Sequence, residues 1–485
     1  MPSQLKQKAL NAGMWSLLDA VGQRGVQFVV GIILARLLLP EQFGLVGMLL
    51  VFTAVAQTFV DSGFGAALIQ KQNITKEDTC SIFYFNILMS CILSGCLCAL
   101  APRIALFYGR PILAPMLQVM SSCLVINSLG QVHNILLTKG LEFKSRAKVT
   151  LYASFLSGLI GIGMAYWGYG VWSLVAQQVG SAIFSVIFLW LFSIWRPALL
   201  FSFKSLREMF RFGSKLLASG LLNTIFDNIY LVVIGKFFSP ADLGYYTRAN
   251  TLQQLPSITL SSVVGRVAFP VFSTIQDDPE RVKRGMKKAL TMLVFINFPL
   301  MVGLAVVAGP LVSVLLGDKW QPCVPYLQML CLVGLMYPLH LINLSVLQAL
   351  GRSDLFLRLE VTKKLLIALN ISITWRWGIM AMITGQAITS LASYYLNAYY
   401  NKRIIGYSIW EQVKDIYIYF FNAALMGGVV FCLTYLVNFN PFLLLVYQVG
   451  SGVVAYIILC RLFCLNTFIE LQRIILRSLN FKNSF

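Results

Sequence analysis

The segments ARLLLPEQFG, residues 35–44, and GKFFSPADLG, residues 235–244, carry the same pattern two hundred positions apart. In each segment a basic residue is followed by a proline and then by a glycine: Arg36, Pro40 and Gly44 in the first, Lys236, Pro240 and Gly244 in the second. Further glycines obey the same offset, at positions 13 and 213 and at 65 and 265. A pattern repeated at a constant offset predicts a duplicated structural unit.

The composition predicts a membrane protein. Of 485 residues 58% are hydrophobic and 12% are charged, with a mean hydropathy of +0.76, whereas soluble domains carry about 25% charged residues. A helix needs about 20 apolar residues to cross the bilayer. The sequence predicts fourteen such spans, numbered 1 to 14 in chain order: 13–36, 43–69, 79–101, 112–137, 147–167, 171–194, 212–238, 243–272, 288–315, 323–349, 359–375, 378–400, 415–437 and 441–464.

The bases that give the chain its net charge of +20 lie mainly in every second segment between the predicted spans. In the loops, the termini and the span ends that adjoin them, 29 lysines and arginines fall on one side of the predicted membrane and 6 on the other. The positive-inside rule therefore predicts a multi-pass protein with both termini in the cytoplasm, together with the loops 71–79, 139–148, 275–288 and 351–364. Alternating basic loops favour contact with anionic membrane lipids over nucleic-acid binding.

Soluble catalytic chemistry is not expected. The predicted loops leave no room for a catalytic domain, and the pair Gly235-Lys236 lacks the upstream glycine of a phosphate-binding loop. The ten cysteines have no paired CxxC spacing and the chain has only two histidines, so neither a metal nor a cofactor is expected. The free energy for any work that the protein does must then come from an ion gradient, the membrane potential or the gradient of its substrate.

Polar residues recur every four positions along four predicted spans, which places them on one face of each helix. They are Asp19, Gln23 and Gln27 in span 1, Thr53, Gln57 and Asp61 in span 2, Ser219, Asn223 and Asp227 in span 7, and Gln253, Ser257 and Ser261 in span 8.

A weaker repeat, at an offset of 208, relates WGYGVWSLVAQQ, residues 167–178, to WRWGIMAMITGQ, residues 375–386. The duplication thus covers spans 1–6 and 7–12. Six spans are an even number, so the two copies share one orientation and are related by an axis along the membrane normal. We expect an N-terminal half, 1–200, a C-terminal half, 201–405, and accessory spans 13 and 14 with a cytoplasmic tail, 406–485.

Charged residues inside spans need a polar environment, because one charge at the bilayer centre costs about 2.5 to 3.5 kcal/mol on insertion scales. The chain has six: Asp19, Arg24, Asp61, Asp227, Arg248 and Arg266. A water-filled cavity lined by spans 1, 2, 7 and 8 would hold them. The alternative is that Arg24 pairs with Asp19 or Asp61 and only locks the bundle. For His133 and His340, hydrogen-bonded packing is favoured over a proton relay.

Three segments resemble the polysaccharide transporter family, in particular its colanic-acid-exporter-like and lipopolysaccharide O-antigen flippase members, within the multidrug/oligosaccharidyl-lipid/polysaccharide exporter superfamily. They are DSGFGAALIQKQNITKEDTCSIFYFN, residues 61–86, LLTKGLEFKSRAKV, residues 136–149, and FPVFSTIQDDPERVKRGMKKAL, residues 269–290. The resemblance implies an all-α polytopic flippase of the bacterial cytoplasmic membrane. Its substrate would be an undecaprenyl-pyrophosphate-linked oligosaccharide for surface polysaccharide or lipopolysaccharide assembly, and its partners a polysaccharide polymerase and export machinery.

The cavity residues acquire roles under this resemblance. Substrate would be bound by Arg24, Gln23, Gln27, Gln57, Asn223, Arg248, Gln253 and Arg266, while Asp19, Asp61 and Asp227 would couple an ion or act as charge partners. Two alternatives stay open. An ion-coupled multidrug exporter would share the repeat, and a membrane glycosyltransferase or polymerase would need larger outer loops than this chain has.

Overall fold

The computed structural model describes residue 15 and residues 22–61, 63–437, 439–463 and 467–470. In this part of the chain all regular structure is helical. The helices are α1 (22–37), α2 (Pro40–Asp61), α3 (Phe64–Gln70), α4 (Lys76–Tyr108), α5 (Leu113–Lys139), α6 (Phe143–Tyr166), α7 (Trp172–Phe192), α8 (Phe203–Phe237), α9 (Pro240–Thr274), α10 (Pro279–Val306), α11 (Ala308–Leu315), α12 (Cys323–Ala349), α13 (Ser353–Thr374), α14 (Ile379–Ile405), α15 (Ile409–Thr434) and α16 (Pro441–Leu462).

Ten segments among the described residues are long and apolar enough to cross a membrane, with α2 and α3 forming one of them. They confirm the predicted all-α polytopic membrane fold. Three further helices, α9, α13 and α14, are 35, 22 and 27 residues long but fall outside these ten. The count of fourteen spans therefore stays a prediction.

The helix ends follow from local sequence. Helix α4 begins with a capping box in which the side chain of Thr75 accepts from the backbone N–H of Asp78 and the Asp78 carboxylate accepts from the N–H of Thr75. Ser408 and Glu411 form the same arrangement at the start of α15. Each box satisfies backbone donors that have no partner within the helix.

The chain divides into two compact units, Met1–Thr247 and Arg248–Phe485. In the first unit α4 packs along α5, α6 along α7 and α2 along α8. In the second, α10 packs on α12 and α15, α12 on α14, and α15 on α16. The first unit continues past residue 200 because α8 lies against α2. The boundaries of the two repeated halves stay a prediction about the duplication.

A buried polar seam joins α4 to α5. Its hydrogen bonds run from Asn86 Nδ2 to Gln131 Oε1 at 2.8 Å, from Ser90 Oγ to Ser128 Oγ at 3.0 Å, and from Ser94 Oγ to Ser121 Oγ at 3.2 Å. Small hydroxyl side chains let two membrane helices approach closely and supply hydrogen bonds between them.

An amide cluster occupies the interior of the second unit. Asn343 on α12 and Gln412 on α15 exchange two hydrogen bonds of 3.1 and 3.2 Å, and Asn401 on α14 donates to Asn343 Oδ1 at 2.7 Å. Tyr394 adds a hydroxyl that donates to Gln412 Oε1 at 3.1 Å. All three amides are 0% exposed, so this cluster ties three helices together away from water.

The two histidines differ. His340 confirms the predicted hydrogen-bonded packing role, with Nε2 2.9 Å from Ser390 Oγ and Nδ1 3.1 Å from Asn397 Nδ2. For His133 the prediction is wrong, because neither ring nitrogen has a hydrogen-bond partner among the described residues. Its ring packs instead between Trp190 and Trp195, at centroid distances of 4.9 and 5.1 Å.

Residues 193–202, here called the linker, connect α7 to α8 and are fastened to the start of α4. Three hydrogen bonds hold them: Trp195 Nε1 to Thr79 Oγ1 at 3.1 Å, Tyr84 Oη to the carbonyl of Ala198 at 3.1 Å, and the N–H of Ser202 to Ser81 Oγ at 2.8 Å. The linker, which lies at the predicted boundary of the two halves, is therefore hydrogen-bonded into the first unit.

Candidate functional site

The duplicated turns pack directly on each other, backbone to backbone. A Cβ atom placed on Gly44 would overlap the carbonyl oxygen of Pro240 and lie 3.1 Å from the N atom of Gly244. A Cβ atom on Gly244 would in turn overlap the carbonyl oxygen of Pro40. Only glycine fits either position, because any side chain would separate the turns. We call this contact the turn pair.

Away from the turn pair, α2 and α8 remain in contact along their length. Thr58 and Thr224 share a hydrogen bond of 3.0 Å between their hydroxyls, and a Cβ on Gly220 would lie 3.3 Å from the methyl group of Thr58. Near the far end, Gly63 has φ +70° and lies against the backbone of Gly213. Helices α2 and α8 therefore meet through small residues.

The predicted polar stripe of span 7 lies on a different face of α8 from this contact. Ser219, Asn223 and Asp227 are exposed, while Gly220 and Thr224 face α2. On α1 the side chain of Gln27 is exposed and that of Gln23 is half-buried. Amides and hydroxyls of this kind both donate and accept hydrogen bonds, which suits the hydroxyl groups of a sugar.

A hydrogen-bonded network surrounds Asp61 at the end of α2. Its Oδ1 atom accepts from Gln57 Nε2 at 3.1 Å and from Gln131 Nε2 at 2.7 Å. Gln131 also accepts from Asn86 at 2.8 Å, which links the carboxylate to the seam between α4 and α5. The side chain of Asp61 is exposed, so two amides orient a carboxylate that remains open to a ligand.

The remaining predicted site residues have varied positions. Arg24 is half-buried on α1, whereas Asp19 and the side chain of Arg266 lie outside the described part of the chain. In the second unit the guanidinium of Arg248 lies 6.0 Å from the ring centroid of Trp320. The side chain of Gln253 is 5% exposed and its Nε2 lies 3.8 Å from Met301 Sδ, so this amide is packed among helices in the structure.

Residues 33–325 match the family described as polysaccharide biosynthesis protein. The chain belongs to this family. It is 28% identical to the teichuronic acid biosynthesis protein TuaB of Bacillus subtilis (strain 168), over 89% of this chain and 90% of that protein. It is also 28% identical to the lipopolysaccharide biosynthesis protein WzxC of Escherichia coli (strain K12), over 86% of each.

This polysaccharide biosynthesis family member shares its fold with a solved membrane transporter. The lipid II flippase MurJ in an inward closed conformation superposes with a TM-score of 0.76 at 15% sequence identity. The superposition covers 92% of this chain and 98% of that structure. The likeness in fold agrees with the all-α polytopic membrane protein that the described helices indicate.

Sequence reasoning about this family member missed Gln131, Thr58 and Thr224. Gln131 completes the Asp61 network from α5, and the two threonines join α2 to α8. One feature of the sequence could have pointed to these residues: a glutamine or threonine inside a predicted span needs a hydrogen-bond partner. Which helix supplies that partner is a property of the packed bundle.

Proposed function

We propose that the protein is a flippase that moves an undecaprenyl-pyrophosphate-linked oligosaccharide from the cytoplasmic to the outer leaflet by alternating access. The single observation that carries the proposal is the turn pair in a member of the polysaccharide biosynthesis family. Two copies of one motif meet backbone to backbone, and α8, which leads to the second of them, carries an exposed polar stripe. Such a contact suits a barrier that opens when the repeats move apart.

The side chains divide into two chemical groups in this proposal. Arg24, Arg248 and Arg266 bind the pyrophosphate, because a guanidinium keeps its charge and pairs with phosphate oxygens through a planar fork. Gln23, Gln27, Gln57, Asn223 and Gln253 bind sugar hydroxyls, as amides that both donate and accept. The packed position of Gln253 requires a helix movement before that amide reaches the substrate.

The moving bodies are the halves 1–200 and 201–405, with residues 406–485 accessory to them. Both termini lie in the cytoplasm and the protein resides in the bacterial inner membrane. Transport of an intact lipid-linked substrate requires no catalysis, so the protein acts without being an enzyme. A polysaccharide polymerase and export machinery receive the product on the outer side.

A deletion strain tests the function. We expect it to lose surface polysaccharide while lipid-linked oligosaccharide accumulates in a form that a membrane-impermeant sugar probe cannot reach from outside. Complementation with the wild-type chain should restore both measurements. Unchanged surface glycan, or failure to build the oligosaccharide at all, would contradict a flippase.

Ion-coupled export of small cations is the second candidate, and the Asp61 network favours it. A carboxylate held by Gln57 and Gln131 has free lone pairs for Na⁺ or a proton. In a multidrug exporter, deletion would raise sensitivity to aromatic cations and leave surface glycan unchanged. In an ion-coupled flippase, Asp61→Asn would remove the dependence of flipping on the ion gradient. The control for protein insertion is Asn73→Asp, in the loop between α3 and α4.

A further inference from the structure

The start of α10 carries an unusual density of positive charge. Within residues 279–288 the chain places five bases, Arg281, Lys283, Arg284, Lys287 and Lys288, against one acid, Glu280. Cations near a helix N-terminus oppose the helix dipole, and like charges at a spacing of four residues repel each other. Such a cluster needs negative charge from outside its own helix.

Among the described residues, acids of the second unit pair with the three lysines of this cluster and with neither of its arginines. Lys283 pairs with Glu411 at 3.2 Å and Lys287 with Asp415 at 2.6 Å, both acids on α15. Lys288 pairs with Glu470 at 2.9 Å. In the part of the chain that the structure describes, no carboxylate pairs with Arg284, or with Lys414 on α15.

Arg284 and Lys414 line the same cavity, which has a volume of about 620 Å³ and lies between α10, α15 and the residues Phe463, Thr467 and Glu470. Four bases and two acids line it. Both acids are already paired with lysines, which leaves an excess of two positive charges. The cavity is therefore a preformed site for an anion.

The lining of the cavity is also partly apolar. Met292, Ile418 and Phe463 lie on it, and the hydroxyl of the neighbouring Tyr419 is 2.6 Å from Thr467 Oγ1. The basic end of α10 belongs to the loop region that the sequence predicts at the cytoplasmic face. A ligand that presents phosphate to bases and hydrocarbon to apolar side chains at the predicted cytoplasmic face is a phospholipid.

We propose that this cavity binds the headgroup of an anionic phospholipid, and that it prefers a headgroup with two phosphates over one with a single phosphate. Arg284 donates to phosphate oxygens through its planar guanidinium, and Lys414 supplies a second charge from the facing helix. Basic pockets between membrane helices at the cytoplasmic side are typical sites for cardiolipin and related headgroups. This site is separate from the Asp61 network and the turn pair, which belong to the first unit.

The test uses the full-length protein, purified in detergent and stripped of lipid. Binding of cardiolipin, phosphatidylglycerol and phosphatidylcholine is measured by native mass spectrometry and by the shift of the thermal unfolding midpoint. We compare wild type with Arg284→Gln/Lys414→Gln and with the control Lys76→Gln/Lys402→Gln, which removes two exposed bases outside the cavity. A third variant, Lys414→Arg, keeps the charge.

Cardiolipin should bind more tightly than phosphatidylglycerol, and phosphatidylcholine most weakly. The cavity double variant should weaken cardiolipin binding about 30-fold, since each base near an anionic lipid surface contributes about a factor of five. The control and Lys414→Arg should bind as wild type does. Equal loss in the control would overturn the proposal. Saturation by inorganic phosphate, or displacement of cardiolipin by undecaprenyl pyrophosphate, would also overturn it in favour of a soluble anion or the carrier lipid.

Discussion

Replacing Gly44 by alanine should loosen the turn pair. The added Cβ would overlap the carbonyl oxygen of Pro240 and stand 2.6 Å from its carbonyl carbon. Ordinary contact between such atoms needs about 3.5 Å, so the turns must separate by roughly 1.5 to 2 Å. Both partners are backbone atoms that no side-chain rotation can move away.

Forcing extra atoms into a well-packed contact costs about 1 to 3 kcal/mol. If the strain is released when the turns part, the equilibrium shifts toward the separated state by a factor of about 5 to 150. Gly244→Ala should act in the same direction, because its Cβ would overlap the carbonyl oxygen of Pro40. Gly95→Ala is the matched control, since nothing lies within 4 Å of a Cβ at that position.

The assay reports exposure of the turn. A cysteine at Leu243, which is buried against Gly47 of α2, is introduced into a chain whose ten native cysteines have been replaced and is labelled in cells with a membrane-impermeant maleimide. Labelling should accelerate in Gly44→Ala and Gly244→Ala and stay unchanged in Gly95→Ala. Equal labelling rates in all variants, at equal protein level, would refute the turn pair as a movable barrier.

Three further predictions follow from other parts of the chain. Arg24→Ala should abolish export of surface polysaccharide while the protein still inserts into the membrane. Arg24→Lys should restore part of the export, because lysine keeps the charge of arginine but not its planar guanidinium. Full export after Arg24 and an acidic partner are both neutralised would instead assign Arg24 a scaffolding role. Gln412→Leu leaves a donor of Asn343 and the hydroxyl donor of Tyr394 without their acceptor, and each loss should lower the free energy of unfolding by about 1 to 3 kcal/mol. The measurement is the melting temperature, which should fall relative to that of the exposed-site variant Val413→Leu. A reporter fused after residue 280 should be active only in the cytoplasm, and activity in the periplasm would invert the topology.

Local and periodic features of this protein could be predicted from its sequence. The offset of two hundred residues identified the two turns as equivalent parts of a repeat, and the structure adds that they contact each other. The spacing of four residues placed Ser219, Asn223 and Asp227 on one face of α8, as the structure has them. The family and the all-α membrane fold are confirmed by comparison with known proteins.

Contacts between distant helices could not be predicted in this way. Periodicity states which face of a helix is polar, but the partner of Asp61 comes from α5, seventy residues further along the chain. The expectation for His133 failed for a similar reason. Its neighbours in the fold are the tryptophans at 190 and 195, and no local pattern distinguishes an aromatic environment from a hydrogen-bonding one.

The reciprocity of the turn pair bears on the ancestry of the protein. Gly44 touches Pro240 while Gly244 touches Pro40, so each copy contributes the same two surfaces to the contact. Reciprocal contact of identical patches is the property of an isologous interface in a symmetric homodimer. A single-copy ancestor with one such turn would have held both surfaces already. Fusion of such an ancestral gene to its own duplicate would have needed no new sequence to form this contact.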